Sequence, residues 1–258
     1  MAVNEEASQP RAAALLEGVQ HDGPGQSILV VMAHPDDAEF MSAGSVARWV
    51  REGREVVYVL CTDGDKGSAD PEVTPERLAR TRQAEQRAAC AVLGVREVVF
   101  LGYPDGLLQN TLELRWDIVR QIRRFRPDAV VCQDPTKRWY SNFYLNHPDH
   151  RAAGDAALDA VFPSARDYHV LPELIQEGLL PHKVRHVYIA PGFEDADVWF
   201  DITDTIDQKI AALYEHKSQM NVAENPREAE EFVRWMGRAT AQDQDMEYAE
   251  AFKYIRLE

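Results

Sequence analysis

The chain has 258 residues, of which 45% are hydrophobic and 28% charged, the profile of a globular domain with its own core. No apolar run approaches the roughly 20 residues needed to cross a bilayer, which argues against a membrane protein. Lys and Arg total 28 against 43 Asp and Glu, and the resulting net charge of −15 repels phosphate backbones and argues against a general nucleic-acid binder.

Residues 1–26 read as a polar leader that ends at Gly23-Pro24-Gly25. It lacks the basic segment and apolar core of a secretory signal, so a cytoplasmic protein is expected. Residues 27–258 then read as one domain. Apolar runs at Ile28 to Ala33, Val56 to Cys61, Val98 to Leu101, Asp128 to Cys132 and Val184 to Ala190 predict buried strands. Helical spacing over Ala38 to Arg51, Pro75 to Leu93 and Leu114 to Phe125 fills the gaps between the first four, with stops at Gly53, Gly94 and Pro127. Strands alternating with such helices predict right-handed crossovers. The expected fold is therefore a Rossmann-like, doubly wound α/β domain with a mainly parallel sheet and helices on both faces, for which the strand order 3-2-1-4-5 is assumed.

Further on, Val198 to Ile202 suggests another strand, and Thr205 to Gln219 and Arg227 to Met236 suggest helices. Trp235, Tyr248, Phe252 and Tyr254 either cover a neighbouring copy or pack on their own domain; a homo-oligomer is expected. The three cysteines, with no CxxC spacing, read as buried thiols rather than as a disulfide or zinc cluster.

Two histidine motifs carry chemistry. His34-Pro35-Asp36-Asp37-Ala38-Glu39 follows the first strand, and His147-Pro148-Asp149-His150 lies beyond the fourth. In the expected strand order those strands are neighbours, and ligands bind in the crevice beyond their C-terminal ends. Taken alone, His34 is also compatible with a hydrogen-bonded strand-end histidine, and Asp36 and Asp37 with a helix cap. Taken together, His34, Asp37 and His150 make a two-histidine, one-carboxylate set that suits zinc and equally Fe2+, Mn2+ or Co2+. Asp149 reads as a cap or as an acceptor for a histidine N–H.

With these motifs the chain resembles the PIG-L or LmbE-like family of zinc-dependent de-N-acetylases, from about Ile28 to Gln219. Lesser matches are Thr62 to Gly67, Arg82 with Glu85, Asp105-Gly106 and Ser218-Gln219. The resemblance implies that His34, Asp37 and His150 hold zinc. It further implies that Asp36 is the general base and His147 the donor to the oxyanion, and that Arg82 contacts substrate. Asp63, in a Gly-rich turn at the crevice edge, and Asn146, in the aromatic loop with Trp139, Tyr140, Phe143 and Tyr144, are further candidate contacts for a sugar. Where some members carry a tyrosine two residues before the first histidine of the second motif, this chain has Leu145.

The expected activity is hydrolysis of an N-acetyl group on an N-acetylglucosamine-type sugar or conjugate, with a small N-acetylated amino sugar as partner. The alternatives are an amidase of small-thiol conjugates or glycopeptides, and a non-catalytic metal- or sugar-binding protein on the same fold.

Overall fold

The structure is a computed structural model and describes residues 23–142, 144–190, 196–220 and 226–258. Most of the expected leader, residues 1–22, and Phe143 of the aromatic loop lie outside the described residues.

A seven-stranded sheet organises the domain, in the order β3-β2-β1-β4-β7-β9-β8. The strands are β1 (Ser27–Met32), β2 (Glu55–Thr62), β3 (Glu97–Tyr103), β4 (Ala129–Gln133), β7 (His186–Ala190), β8 (Val198–Asp201) and β9 (Ala249–Arg256). The first five in that order pair in parallel, and β9 runs antiparallel between β7 and β8. The expected 3-2-1-4-5 order is therefore present, extended by two strands at one edge. A separate hairpin, β5 (Trp139–Ser141) with β6 (Tyr144–Leu145), projects from the loop after β4.

Strand β1 has no polar face, which is the pattern of a strand covered on both sides. Ile28, Val30 and Met32 enter one core and Leu29, Val31 and Ala33 the other, as the two-residue period of a strand requires. The first core lies under α1 (Asp37–Met41), α2 (Ala43–Arg51) and α3 (Pro75–Leu93). The second lies under α4 (Leu112–Phe125) and α5 (Pro148–Val161). Cys61, Cys90 and Cys132 are buried free thiols in these cores.

Helix boundaries follow local chemistry. The Thr74 hydroxyl accepts from Arg77 N–H and Pro75 opens α3, which ends at Gly94 with φ 78°. Thr111 likewise accepts from Leu114 N–H, so α4 begins two residues before the expected Leu114. The single helix expected over Ala38 to Arg51 is broken at Ser42 (φ −143°, ψ 2°), whose hydroxyl donates to Ala38 C=O at 3.2 Å. The break gives α2 its own N-terminus, where Gly44 and Ser45 N–H donate to the Glu250 carboxylate at 3.0 and 2.7 Å. Lys209, in α7 (Ile206–Leu213), neutralises that buried carboxylate at 2.6 Å.

The remaining helices are the short α6 (Pro172–Gln176) and α8 (Pro226–Thr240), which covers the expected Arg227 to Met236. The expected helix Thr205 to Gln219 is helical only to Leu213 and continues as turns. Tyr248, Phe252 and Tyr254 pack inside this domain, whereas Trp235 is 61% exposed. Among the described residues no helix is long and apolar enough to cross a membrane.

Candidate active site

The crevice beyond β1 and β4 collects both histidine motifs. The end of β1 is pinned by Gln133, whose side-chain carbonyl accepts from Ala33 N–H at 2.9 Å. Helix α5 is brought close to the same edge by Gly154, where a β-carbon would lie 2.3 Å from the Gln133 carbonyl oxygen. The first turn of α5 thereby carries Asp149 and His150 to the end of β1. His147 caps the helix, its Nδ1 accepting from Asp149 N–H at 3.2 Å.

Hydrogen-bond partners assign the ring tautomers. His34 Nε2 faces Asp105 Oδ1 at 3.2 Å and Asp149 Oδ2 at 3.3 Å, so it carries the proton and Nδ1 is left facing Asp37 Oδ2 at 3.3 Å. His150 Nδ1 faces Asn146 Oδ1 at 3.0 Å, which leaves Nε2 facing Asp37 Oδ1 at 3.1 Å. In those neutral tautomers a ring lone pair of each histidine faces an Asp37 oxygen, and Asp37 Oδ2 also accepts from His34 N–H at 2.8 Å. A cation suits that arrangement, either protons on the rings or a divalent metal, and imidazole and carboxylate are donor types that such a metal takes. The outer partners fit too, because carboxylate and amide acceptors on the far ring nitrogens are how metal-binding histidines are oriented. The groups whose ligand atoms all lie within 4.8 Å of one another are His34, His147 and His150, and His34, Asp105, His147 and Asp149; neither includes the expected ligand Asp37.

Charge follows the same geometry. Burial works against ionisation of His34, but Asp105, Asp149 and Asp37 outweigh it and hold the imidazole well above its ordinary pKa. Burial would raise Asp37, yet His150 and His34 hold it well below the usual carboxylate range. Asp149 is lowered despite its burial by hydrogen bonds from His34 and from Gly106 N–H, the latter at 2.7 Å. Asp149 thus acts as the acceptor expected for a histidine N–H. His147 moves the other way, lowered by burial and by the charge of His34, and stays a neutral ring.

Asp36 stands beside this cluster with φ 88° and ψ −26°, a left-handed conformation costing an aspartate roughly 1–3 kcal/mol. It occupies the N-cap position of α1, yet its side chain makes no capping bond. Burial raises its pKa to about 6, opposed by Arg82, whose Nη2 lies 3.1 Å from Asp36 Oδ2. Arg82 is itself buried and also donates to Pro35 C=O at 2.6 Å and Gly64 C=O at 3.1 Å. Asn146 is buried too, donating to Lys137 C=O at 2.8 Å while it accepts from His150. Asp63 lies half-buried at the crevice edge and accepts from Gln83 at 3.0 Å. On the hairpin Leu145 is 80% exposed and Trp139 64%.

Several contributors had no expected role. Asp105 arrives from the loop after β3, within a short match to which no chemistry was attached. Gln86 could have been found as the residue one helical turn after Arg82, and His216 as the neighbour of Ser218-Gln219. Gln133 gave no signal beyond ending an apolar run.

Known proteins share this arrangement of chain. A family profile described as PIG-L, GlcNAc-PI de-N-acetylase, matches residues 29–161. Diacetylchitobiose deacetylase of Thermococcus kodakarensis is 34% identical over 197 residues, covering 75% of this chain and 70% of that one. A probable N-acetyl-alpha-D-glucosaminyl L-malate deacetylase of Bacillus anthracis is 27% identical, covering 82% and 92% of the two chains. The solved N,N'-diacetylchitobiose deacetylase of Pyrococcus horikoshii superposes with a TM-score of 0.85 at 26% identity, over 99% of this chain and 94% of that one. On both sequence and fold, this chain belongs to the PIG-L family of de-N-acetylases.

Proposed function

We propose that the protein is a metal-dependent hydrolase that removes the N-acetyl group from an N-acetylglucosamine-type sugar or sugar conjugate. The observation that carries this reading is the gathering of His34 and His150 on one carboxylate, Asp37 Oδ2 lying 3.3 Å from His34 Nδ1 and accepting from His34 N–H at 2.8 Å while Asp37 Oδ1 lies 3.1 Å from His150 Nε2, next to the half-buried Asp36. The deacetylase names of the relatives support the acyl-transfer class.

His34, Asp37 and His150 would hold the ion, zinc by preference, with Fe2+, Mn2+ or Co2+ suiting the same donors. When bound, that ion supplies Lewis acidity to the amide carbonyl and to the attacking water. Asp36 takes a proton from the water as its oxygen bonds to the carbonyl carbon. The carbonyl π electrons move onto oxygen, and His147 faces that developing charge. Because His147 Nδ1 accepts from Asp149 N–H, its proton sits on Nε2, making the neutral ring a donor. When the C–N bond breaks, the electron pair leaves with nitrogen, which takes the proton that Asp36 removed from the water. The products are acetate and the free amino sugar. In this reading Arg82 and Asn146 serve by holding Asp36 and His150, and Asp63 is the residue assigned to a substrate hydroxyl.

The test is metal content of the purified chain, together with amine release from diacetylchitobiose and N-acetylglucosamine conjugates before and after chelation. About one metal per chain with chelator-sensitive release is expected; absence of metal after reconstitution with zinc, iron, manganese and cobalt would refute it. Asp36→Asn should keep the metal and lose roughly 10²- to 10⁴-fold in kcat. His34→Ala and His150→Ala should lose the metal as well.

A further inference from the structure

Behind Asp36 lies a buried polar chain that runs from its backbone away from the metal-binding candidates. The Pro35–Asp36 peptide is gripped at both ends by two side chains one turn apart on α3. Arg82 Nη2 donates to Pro35 C=O at 2.6 Å, and Asp36 N–H donates to Gln86 Oε1 at 3.0 Å. Gln86 Nε2 in turn donates to Glu39 Oε1 at 3.0 Å, and Glu39 Oε2 meets His216 Nε2 at 3.2 Å. Gln86, Glu39 and His216 are all fully buried.

The chain has a direction. Turning the Gln86 amide over would set its NH2 against Asp36 N–H and its oxygen against the Glu39 carboxylate, unmaking both bonds at once. One orientation of the amide is therefore enforced, and with it one orientation of the peptide whose rotation sets φ of Asp36. We propose that Gln86, Glu39 and His216 are positioning residues that hold the Pro35–Asp36 peptide in its left-handed setting and so aim the Asp36 carboxylate into the crevice. The proposal rests on Asp36 being the base of the hydrolytic reading.

The test exchanges donor and acceptor without changing shape. Gln86→Glu leaves two carboxylates facing each other, while the double variant Gln86→Glu/Glu39→Gln restores every bond. In the double variant Asp36 N–H and the new amide at 39 both donate to the carboxylate at 86, and His216 donates to the amide oxygen. Gln86→Glu should lower kcat roughly 10- to 100-fold, with KM within about twofold and metal content unchanged. The double variant should recover most of the loss. An unchanged kcat, or a loss that follows metal content or melting temperature alone, would overturn the proposal. A crystal structure of Gln86→Glu separates this from the activity itself. Should the parent release no amine from any acetylated sugar, the hydrolytic reading fails. The φ of Asp36 then decides the positioning alone, supporting it if φ leaves the left-handed region and overturning it if φ stays near 88°.

Discussion

Asp36 is an aspartate in a conformation that its neighbours must enforce. Arg82 lies beneath it, buried and bonded to Pro35 C=O, Gly64 C=O and the Asp36 carboxylate. Removing that guanidinium orphans two carbonyls and a half-buried acid together. Arg82→Ala should therefore cost about 3 kcal/mol in denaturant unfolding, far more than the exposed pair Arg48–Glu52 would. The residues legible in the sequence were those in contiguous motifs, because His34 to Asp37 and His147 to His150 each bring several reactive groups together by local spacing. Gln86 and His216 were not legible in the same way. Each is a lone polar residue whose partner lies 47 or 177 positions away, and only the fold makes the pair.

Helix α5 shows how a close approach can matter more than propensity. Gly154 sits in its interior, where alanine would favour the helix by about 1 kcal/mol, yet a β-carbon there would overlap the Gln133 carbonyl oxygen. Gly154→Ala should destabilise by roughly 1–3 kcal/mol despite the better propensity. Because His150 rides on the first turn of the same helix, metal affinity should weaken in parallel, as competition with a chelator would measure. The parallel strands were legible because buried strands read as unbroken apolar runs, whereas their order was assumed from the doubly wound fold and only the structure shows it. Strand β9 was not: its sequence Ala-Glu-Ala-Phe-Lys-Tyr-Ile-Arg carries charges throughout. Glu250 is buried there only because α2 and Lys209 supply its partners. The break at Ser42 was hidden for the same reason, since its value lies in the N-terminus it creates for Glu250.

Across the molecule, stability should carry the mark of the buried Glu39–His216 pair. Burial disfavours the charged imidazole, but Glu39 outweighs it, so the pKa of His216 is raised in the folded state. A raised folded pKa gives stability that is fully present below the unfolded value of about 6.5 and is lost as pH rises through the folded value. Thermal melts of the parent and of Glu39→Gln should accordingly differ most at acidic pH, and the gap should narrow as pH rises.

Strand β9 also bears on how the chain comes off the ribosome. It is the sole sheet partner of β8 among the described residues, and it alone supplies the carboxylate at the start of α2. The parallel strands β1, β2, β3, β4 and β7 can pair as translation proceeds, but β8 and the head of α2 must wait until residues 249–256 have been made. Nascent chains stalled before Ala249 leaves the exit tunnel should remain open to protease around β8, and chains stalled well after Arg256 should resist it. Folding of this chain then finishes at its far edge, after the strands that carry the candidate site have paired.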